Sequence, residues 1–408
     1  MSEQIQPDAA HRERIILYAM LTSLTAISID AVLPGLRAIE ADLGLSPPLS
    51  THHVISLFIF GMVFGELVLG PLSDSIGRKK ALLLGLSVYV AGTIIALLAG
   101  SIETLVLGRF LQGAGVAGPK IATRAMIRDQ YEGDAMARVM SFMFTLLILV
   151  PMVAPFLGQA ILLAGGWRSI FGGYLVLAFV LAVWLVVRQP ETLLPQRRVS
   201  ITAGKLLRNT GRILACRRVS LIIVATGLVF GAQLLFLSTS VDLFHDAYGI
   251  TTGFPIFFAI FAAATGLAAF CNGTLVLRFG MDRMARAGFV GLTAAGLLML
   301  VASWLSGGRP PLAVFMGLGF VGFFAIGVLF GNLNAMAMRS LGQVAGLGAS
   351  LIASGSSLVA TAFTLCLGAF YDGTILYLAT GFALSGAVSL TLSEIATRGD
   401  VSPVTGIH

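Results

Sequence analysis

Charge is what this chain has least of. Of its 408 residues only 11% are Asp, Glu, Lys or Arg, against about a quarter in a soluble protein of ordinary composition, and 57% are hydrophobic. With a mean hydropathy of +0.93, no water-soluble core could hide that much apolar surface, which excludes a soluble globular enzyme and a disordered chain. Cysteine is scarce and odd in number: Cys216, Cys271 and Cys366 give no disulfide framework and read as packing thiols. The five histidines (His11, His52, His53, His245, His408) lie scattered over tails and span ends, without the spacing of a metal site. No Walker A sequence is present, which removes ATP as an energy source. Residues 113–118 fit G-x-G-x-x-G, but inside an apolar run with no strand before it the pattern reads as close helix packing.

What is present is a succession of apolar runs of eighteen residues or more, without the ten-residue alternation of an outer-membrane barrel, so the chain reads as an all-α membrane protein. We place twelve transmembrane helices at roughly 15–36, 51–73, 80–100, 104–126, 138–163 and 168–188, then 218–240, 253–276, 284–306, 312–337, 343–369 and 373–394. The long polar gap over 189–217 separates two six-helix bundles, 15–188 and 218–394. It reads as a cytoplasmic linker, with tails at 1–14 and 395–408. Placing both termini in the cytoplasm puts nearly every Lys and Arg on that side. Only Arg37, Arg168 and Arg309 fall at the opposite face, and Arg109 and Lys120 fall inside span four. The net charge of +7 is thereby a matter of topology and anionic lipid rather than of nucleic acid. The first apolar run is too long for a signal-peptide core and is expected to stay as an uncleaved span.

One internal repeat stands out. Gly70 to Lys80, G-P-L-S-D-S-I-G-R-K-K, joins spans two and three; Gly273 to Arg283 joins spans eight and nine. Gly70 and Gly77 meet Gly273 and Gly280, and Lys80 meets Arg283, whereas Asp74 meets Leu277. A duplicated six-helix unit is the architecture of many secondary transporters. In the first copy, Gly77 supplies the turn while Arg78, Lys79 and Lys80 hold the cytoplasmic side. Asp74 is expected to pair with an arginine at the inner end of span four, Arg124 or Arg128, as a latch that holds in one state and opens in another.

The 70–80 loop resembles motif A of the major facilitator superfamily, and Leu107 to Gly118 (L-G-R-F-L-Q-G-A-G-V-A-G) resembles its motif B. Val150 to Gly158 (V-P-M-V-A-P-F-L-G) is similar to the fifth-helix motif of the drug:proton antiporters. Ser28 to Pro34, Arg124 to Asp129 and Trp167 to Phe171 are similar to the bicyclomycin-resistance branch. The likeness is dense in the first half and weaker in the second, where it rests on 272–283, 332–337 and 346–350. It implies two six-helix bundles about a central cavity, a proton gradient in place of a cofactor, and an acid at Asp30 and an arginine at Arg109 that couple protons to substrate.

The residues themselves lead to the same pair. A charge deep in the bilayer costs about 3 kcal/mol on insertion scales, so Asp30 and Arg109 should face a cavity and find partners. Asp30 lies about 15 residues into span one and Arg109 about five into span four, which runs the other way, so both sit in the outer half of the bilayer at similar depth. They are expected to meet, and a carboxyl group whose neighbour is a mobile guanidinium can gain and lose a proton as the contact changes. The bland alternative is a fixed ion pair that locks two helices. Glu66 and Lys120 lie at similar depth in the inner half. Lys120 follows Arg109 by 11 residues, which at about 100° per residue brings both to one face of span four. We read Glu66 and Lys120 as a possible second ion pair or titrating site. Pro151 and Pro155 bend span five and Gly158 permits close approach, the ingredients of a pivot and seal between the halves.

The function these readings favour is proton-coupled efflux of small drug-like molecules or metabolites, antibiotics among them, across a bacterial inner membrane by alternating access. Small-molecule substrate, protons and lipid are the expected partners, with no nucleic acid, no metal, no enzymatic activity and a monomeric state. The alternatives are an uptake symporter on the same scaffold, or a membrane receptor or scaffold that transports nothing.

Overall fold

The computed structural model describes residues 9–44, 49–131, 133–198, 203–339 and 345–397, so parts of the expected tails and linker (1–8, 199–202, 398–408) lie outside the described residues. All regular structure among the described residues is helical. Six long helices form the first half: α1 (Ala9–Asp30), α3 (His52–Ile76), α4 (Arg78–Leu97), α5 (Ile102–Gln130), α6 (Gly133–Gly165) and α7 (Trp167–Arg188), with the short α2 (Leu36–Leu43) between α1 and α3. The second half holds α9 (Arg217–Tyr248), α10 (Phe254–Phe279), α11 (Met281–Leu305), α12 (Leu312–Met338), α13 (Ala345–Gly368) and α14 (Leu376–Thr397). Between them runs α8 (Ala203–Ala215). We call the end where α1 begins and α14 stops the terminal end, and the opposite one the distal end.

Ten of the described helices are long and apolar enough to cross a membrane by themselves. The least apolar long helix, α5, is not among them, although Arg109, Gly113, Val116 and Ala117 along it are buried. Its glycines explain how it is accommodated. A Cβ at Gly113 would lie 1.8 Å from the Phe58 carbonyl oxygen on α3, and one at Gly115 would lie 2.2 Å from the Tyr89 nitrogen on α4. The α5 backbone is thus wedged directly between two neighbours, as small residues permit in membranes. Its polar groups Arg109, Gln112 and Thr123 are buried in protein.

Two expected boundaries differ. The first span ends at Asp30 instead of running on to residue 36: the chain turns at Ala31 and Val32, passes a 3-10 turn at Leu33–Gly35 and restarts as α2. Pro34 brings no N–H to an α-helical ladder, so the break falls just before it. In the other direction, α9 continues to Tyr248, past the expected end at 240, because Asp242, His245 and Asp246 remain helical. The two halves meet where α3 packs on α13 and α6 on α10.

The 203-residue repeat is visible in the backbone. Gly77 and Gly280 both precede a helix with left-handed φ, +108° and +80°, and both have ψ of 154°. Side chains have diverged around that shared turn. Asp282 meets Arg339 at 3.2 Å near the surface, whereas Arg78 of the first copy is buried.

Candidate functional site

Around Arg109, polar groups inside the first half form a hydrogen-bonded file. Arg109 is fully buried and reaches from α5 to α3: its Nε donates to the Val54 carbonyl at 3.0 Å, and its guanidinium carbon sits 4.3 Å above the Phe58 ring. Its Nη1 donates to Gln112 Oε1 at 2.5 Å, and Gln112 Nε2 donates to Thr93 Oγ1 at 2.9 Å. The Tyr89 hydroxyl neighbours Gln112 and shares a 2.7 Å hydrogen bond with Ser28 Oγ on α1. Tyr174, from α7, donates to the Ile27 carbonyl at 3.2 Å and lies within electrostatic reach of Asp30, Tyr89 and Arg109. Five helices therefore contribute to a polar file that links Arg109 to Ser28, two residues before Asp30.

Asp30 and Arg109 do not touch. This corrects the expected contact. Asp30, 4% exposed at the last residue of α1, has no hydrogen bond or ion pair to any described residue. Arg109 meets only neutral partners, and its Nη2 is buried without an acceptor. The cause is local. The α1 break directs the chain away after Asp30, while the Val54 carbonyl and the Phe58 face hold Arg109 on α3 and Gln112 of its own helix occupies its Nη1. A permanent ion-pair lock does not describe this arrangement. Two isolated charges in an interior are expensive, so their retention needs another reason.

Glu66 and Lys120 do come together. Lys120 Nζ lies 2.6 Å from Glu66 Oε1 and 3.6 Å from Met62 Sδ. Lys120 and Arg109 both reach α3, as their shared face on α5 requires. Glu66 is fully buried, and its Oε2 has no donor.

At the terminal end, Asp74 pairs not with Arg124 or Arg128 but with Arg78, across the Gly77 turn. Arg78, itself buried, also places its Nε 3.0 Å from Asp129 Oδ2 and donates from Nη1 to Ser73 Oγ at 3.1 Å. Arg124 and Arg128 are exposed, as is Lys80. Arg78 takes their place because it stands four residues from Asp74 across the Gly77 turn, and Asp129 at the end of α5 holds its other edge. Glu191 of the linker completes the cluster, unforeseen from sequence. Its two carboxylate oxygens accept the first backbone N–H groups of α4, from Arg78 at 2.9 Å and Lys79 at 3.2 Å, where a helix N-terminus favours an anion. A Cβ at Gly77 would strike Glu191.

In α6, Pro155 and Gly158 are buried and Pro151 half-buried. A Cβ at Gly158 would lie 1.9 Å from the Ala31 carbonyl oxygen. The tight approach is therefore to the residue beside Asp30, inside the same half, and not across the interface between halves as expected.

The polar contacts between the halves that the structure describes all lie at the distal end. Arg37 Nε is 3.2 Å from Asp242 Oδ1 and Nη2 is 2.5 Å from Asp246 Oδ1. His52 Nδ1 is 2.9 Å from the Ser238 carbonyl oxygen, and its ring meets Tyr371 edge-on at 5.6 Å. Tyr371 donates to Asp246 Oδ2 at 2.8 Å; burial, reinforced by that carboxylate, pushes its hydroxyl pKa up and keeps it a donor. Of these residues the sequence singled out Arg37 by its side of the membrane and His52 only as a scattered histidine, whereas Asp242, Asp246 and Tyr371 drew no attention. Asp42, which accepts from Trp167 Nε1 at 3.1 Å and pairs with Arg168 at 2.5 Å, likewise ties α2 to α7.

A duplicated helical bundle with isolated charges inside one half and a polar clasp at one end defines a membrane transporter by class. The comparisons with known proteins make this specific. The Major Facilitator Superfamily profile matches residues 18–364, and the chain belongs to that superfamily. A bicyclomycin resistance protein homolog of Haemophilus influenzae is 28% identical over 341 residues, covering 83% of this chain and 85% of that protein. A chloramphenicol resistance protein of Pseudomonas aeruginosa is 26% identical over 291 residues, covering 70% and 68%. Among solved structures, a peptide transporter of the POT family superposes with a TM-score of 0.74 at 16% identity, covering 95% of this chain and 94% of that one. A D-xylose–proton symporter gives 0.70 at 14%, covering 97% and 98%. At such identities these structures establish the fold alone.

Proposed function

We propose that the protein exports small drug-like molecules across the bacterial inner membrane in exchange for protons, by alternating access, with the terminal end in the cytoplasm. The observation that carries this reading is the separation of Asp30 from Arg109. An acid and a base are both buried and unpaired, with the hydroxyl groups of Ser28, Tyr89 and Tyr174 in the region between them, while the distal end is clasped shut. In the cycle we envisage, a proton entering from the distal side neutralises Asp30 and loosens its hold on Arg109, and substrate leaves outward. The distal clasp then closes, giving the arrangement seen here, and loss of the proton to the cytoplasm lets Asp30 and Arg109 approach again. Gly158, packed on Ala31, couples any movement of α6 to Asp30. Relatives named for bicyclomycin, multidrug and chloramphenicol resistance support the outward direction and a small-molecule cargo.

The test uses inverted membrane vesicles with an imposed pH gradient and a panel that includes chloramphenicol. The wild-type protein should drive pH-dependent accumulation of at least one compound, and Asp30→Asn should abolish it. An Asp30→Asn protein that still responds to the gradient overturns the assignment, and movement of solute with the proton rather than against it turns the reading into uptake.

A further inference from the structure

The proton file leaves one buried charge cluster unused. Glu66 and Lys120 each lie ten residues from the terminal end of their helices, Ile76 and Gln130, about 15 Å along the axis. That is deeper than a lysine reaches by extending toward the interface. Arg124 follows Lys120 by one turn on α5, within electrostatic reach of Glu66. The cluster therefore holds two cations and a single carboxylate.

The donors are not consumed by the protein. Lys120 directs one N–H to Glu66 and another toward Met62 Sδ, its side chain is 20% exposed, and its third donor has no acceptor among the described residues. Arg124 is exposed, four residues beyond Lys120 on the same face of α5. None of its N–H groups meets an acceptor among the described residues. One turn away, the Glu66 Oε2 is buried with no donor of its own. Glu66 therefore fixes Lys120 without exhausting the pair. In the second half, the amides within the spans include Gln233, Asn272 and Asn332, Asn332 Nδ2 is spent on Asn272 Oδ1 at 2.7 Å, and the buried carboxylate of Asp242 is engaged at the distal end. They bring no carboxylate to balance the cluster.

We infer that Lys120 and Arg124 form a binding site for the carboxylate of an organic anion entering from the terminal side, with Glu66 as the residue that positions Lys120. A guanidinium with its fork free donates two parallel hydrogen bonds to a carboxylate, and an ammonium beside it adds a point charge. The inference rests on the efflux reading only in naming this anion as cargo; the site itself stands on the donors.

Purified protein in nanodiscs, titrated with carboxyfluorescein and with rhodamine 123, tests it. The two dyes share a three-ring core and differ in the sign of their charge. Carboxyfluorescein should bind more tightly, and salt should weaken it. Lys120→Gln and Arg124→Gln should each lower the ratio of the two affinities about tenfold, as expected for loss of one charge-assisted hydrogen bond. Lys120→Arg should keep the ratio. Arg124 is exposed, so Arg124→Gln carries the test even if Lys120→Gln does not fold. Tighter binding of rhodamine 123, or an unchanged ratio in Arg124→Gln, overturns the site. Carboxyfluorescein that binds but does not move under a pH gradient leaves the site standing and counts against export. Export of other panel compounds without anion binding does the reverse.

Discussion

At the scale of single residues, Arg109 shows why a guanidinium and not an ammonium stands there. Its fork reaches a backbone carbonyl and an amide at once, and its planar face lies on Phe58. Arg109→Lys keeps the charge but loses the fork, so transport should fall by at least tenfold in an assay of drug accumulation, while the protein remains monodisperse. Activity within twofold of wild type would show that the charge alone suffices. Ser28 and Tyr89 form the hydroxyl step between α1 and α4. Tyr89→Phe removes that step without changing shape, and should slow proton-coupled turnover more than it weakens substrate binding. Equal losses in both would assign Tyr89 a packing role. The sequence shows Asp30 and Arg109 as unusual because both are charges in apolar runs. It does not show their separation, because that depends on where α1 breaks and on what α3 offers to Arg109.

At the scale of elements, helix spacing was readable where only one helix mattered. The common face of Arg109 and Lys120 follows from 11 residues of rotation, and both side chains do reach α3. Partners supplied by distant segments were not readable. Glu191 caps α4 from 112 residues away, and nothing in its local sequence marks it among the linker's polar residues. Glu191→Ala should lower stability by about 1 kcal/mol, as loss of a helix cap does, seen as a lower thermal midpoint. Gly158 marks the other contact that fixes an element. A methyl group placed 1.9 Å from the Ala31 carbonyl must push α6 off α1, so Gly158→Ala should cost about 1–3 kcal/mol and impair coupling at Asp30. An unchanged midpoint with full transport would show that the two helices separate freely.

At the scale of the whole molecule, the duplicated bundle and its twelve crossings follow from composition and the repeat. The state of the molecule does not, because it is set by contacts between residues half a chain apart. Arg37 is fastened to Asp242 and Asp246. Partly exposed pairs of this kind contribute about 0.2–1 kcal/mol each, so Arg37→Gln should move the balance toward a distal-open form by a few-fold. Spin labels on the distal ends of α2 and α9, in a background lacking Cys216, Cys271 and Cys366, should report longer distances in that variant. Identical distance distributions would mean that apolar packing, not the clasp, holds the distal end.

The measurement that bears most directly on the account is a count of protons exchanged when substrate is added to the purified protein in weakly buffered solution. Wild type should release about one proton per substrate bound near neutral pH, and Asp30→Asn should bind the same substrate and release none. Undiminished proton release from Asp30→Asn would contradict the role given to this acid.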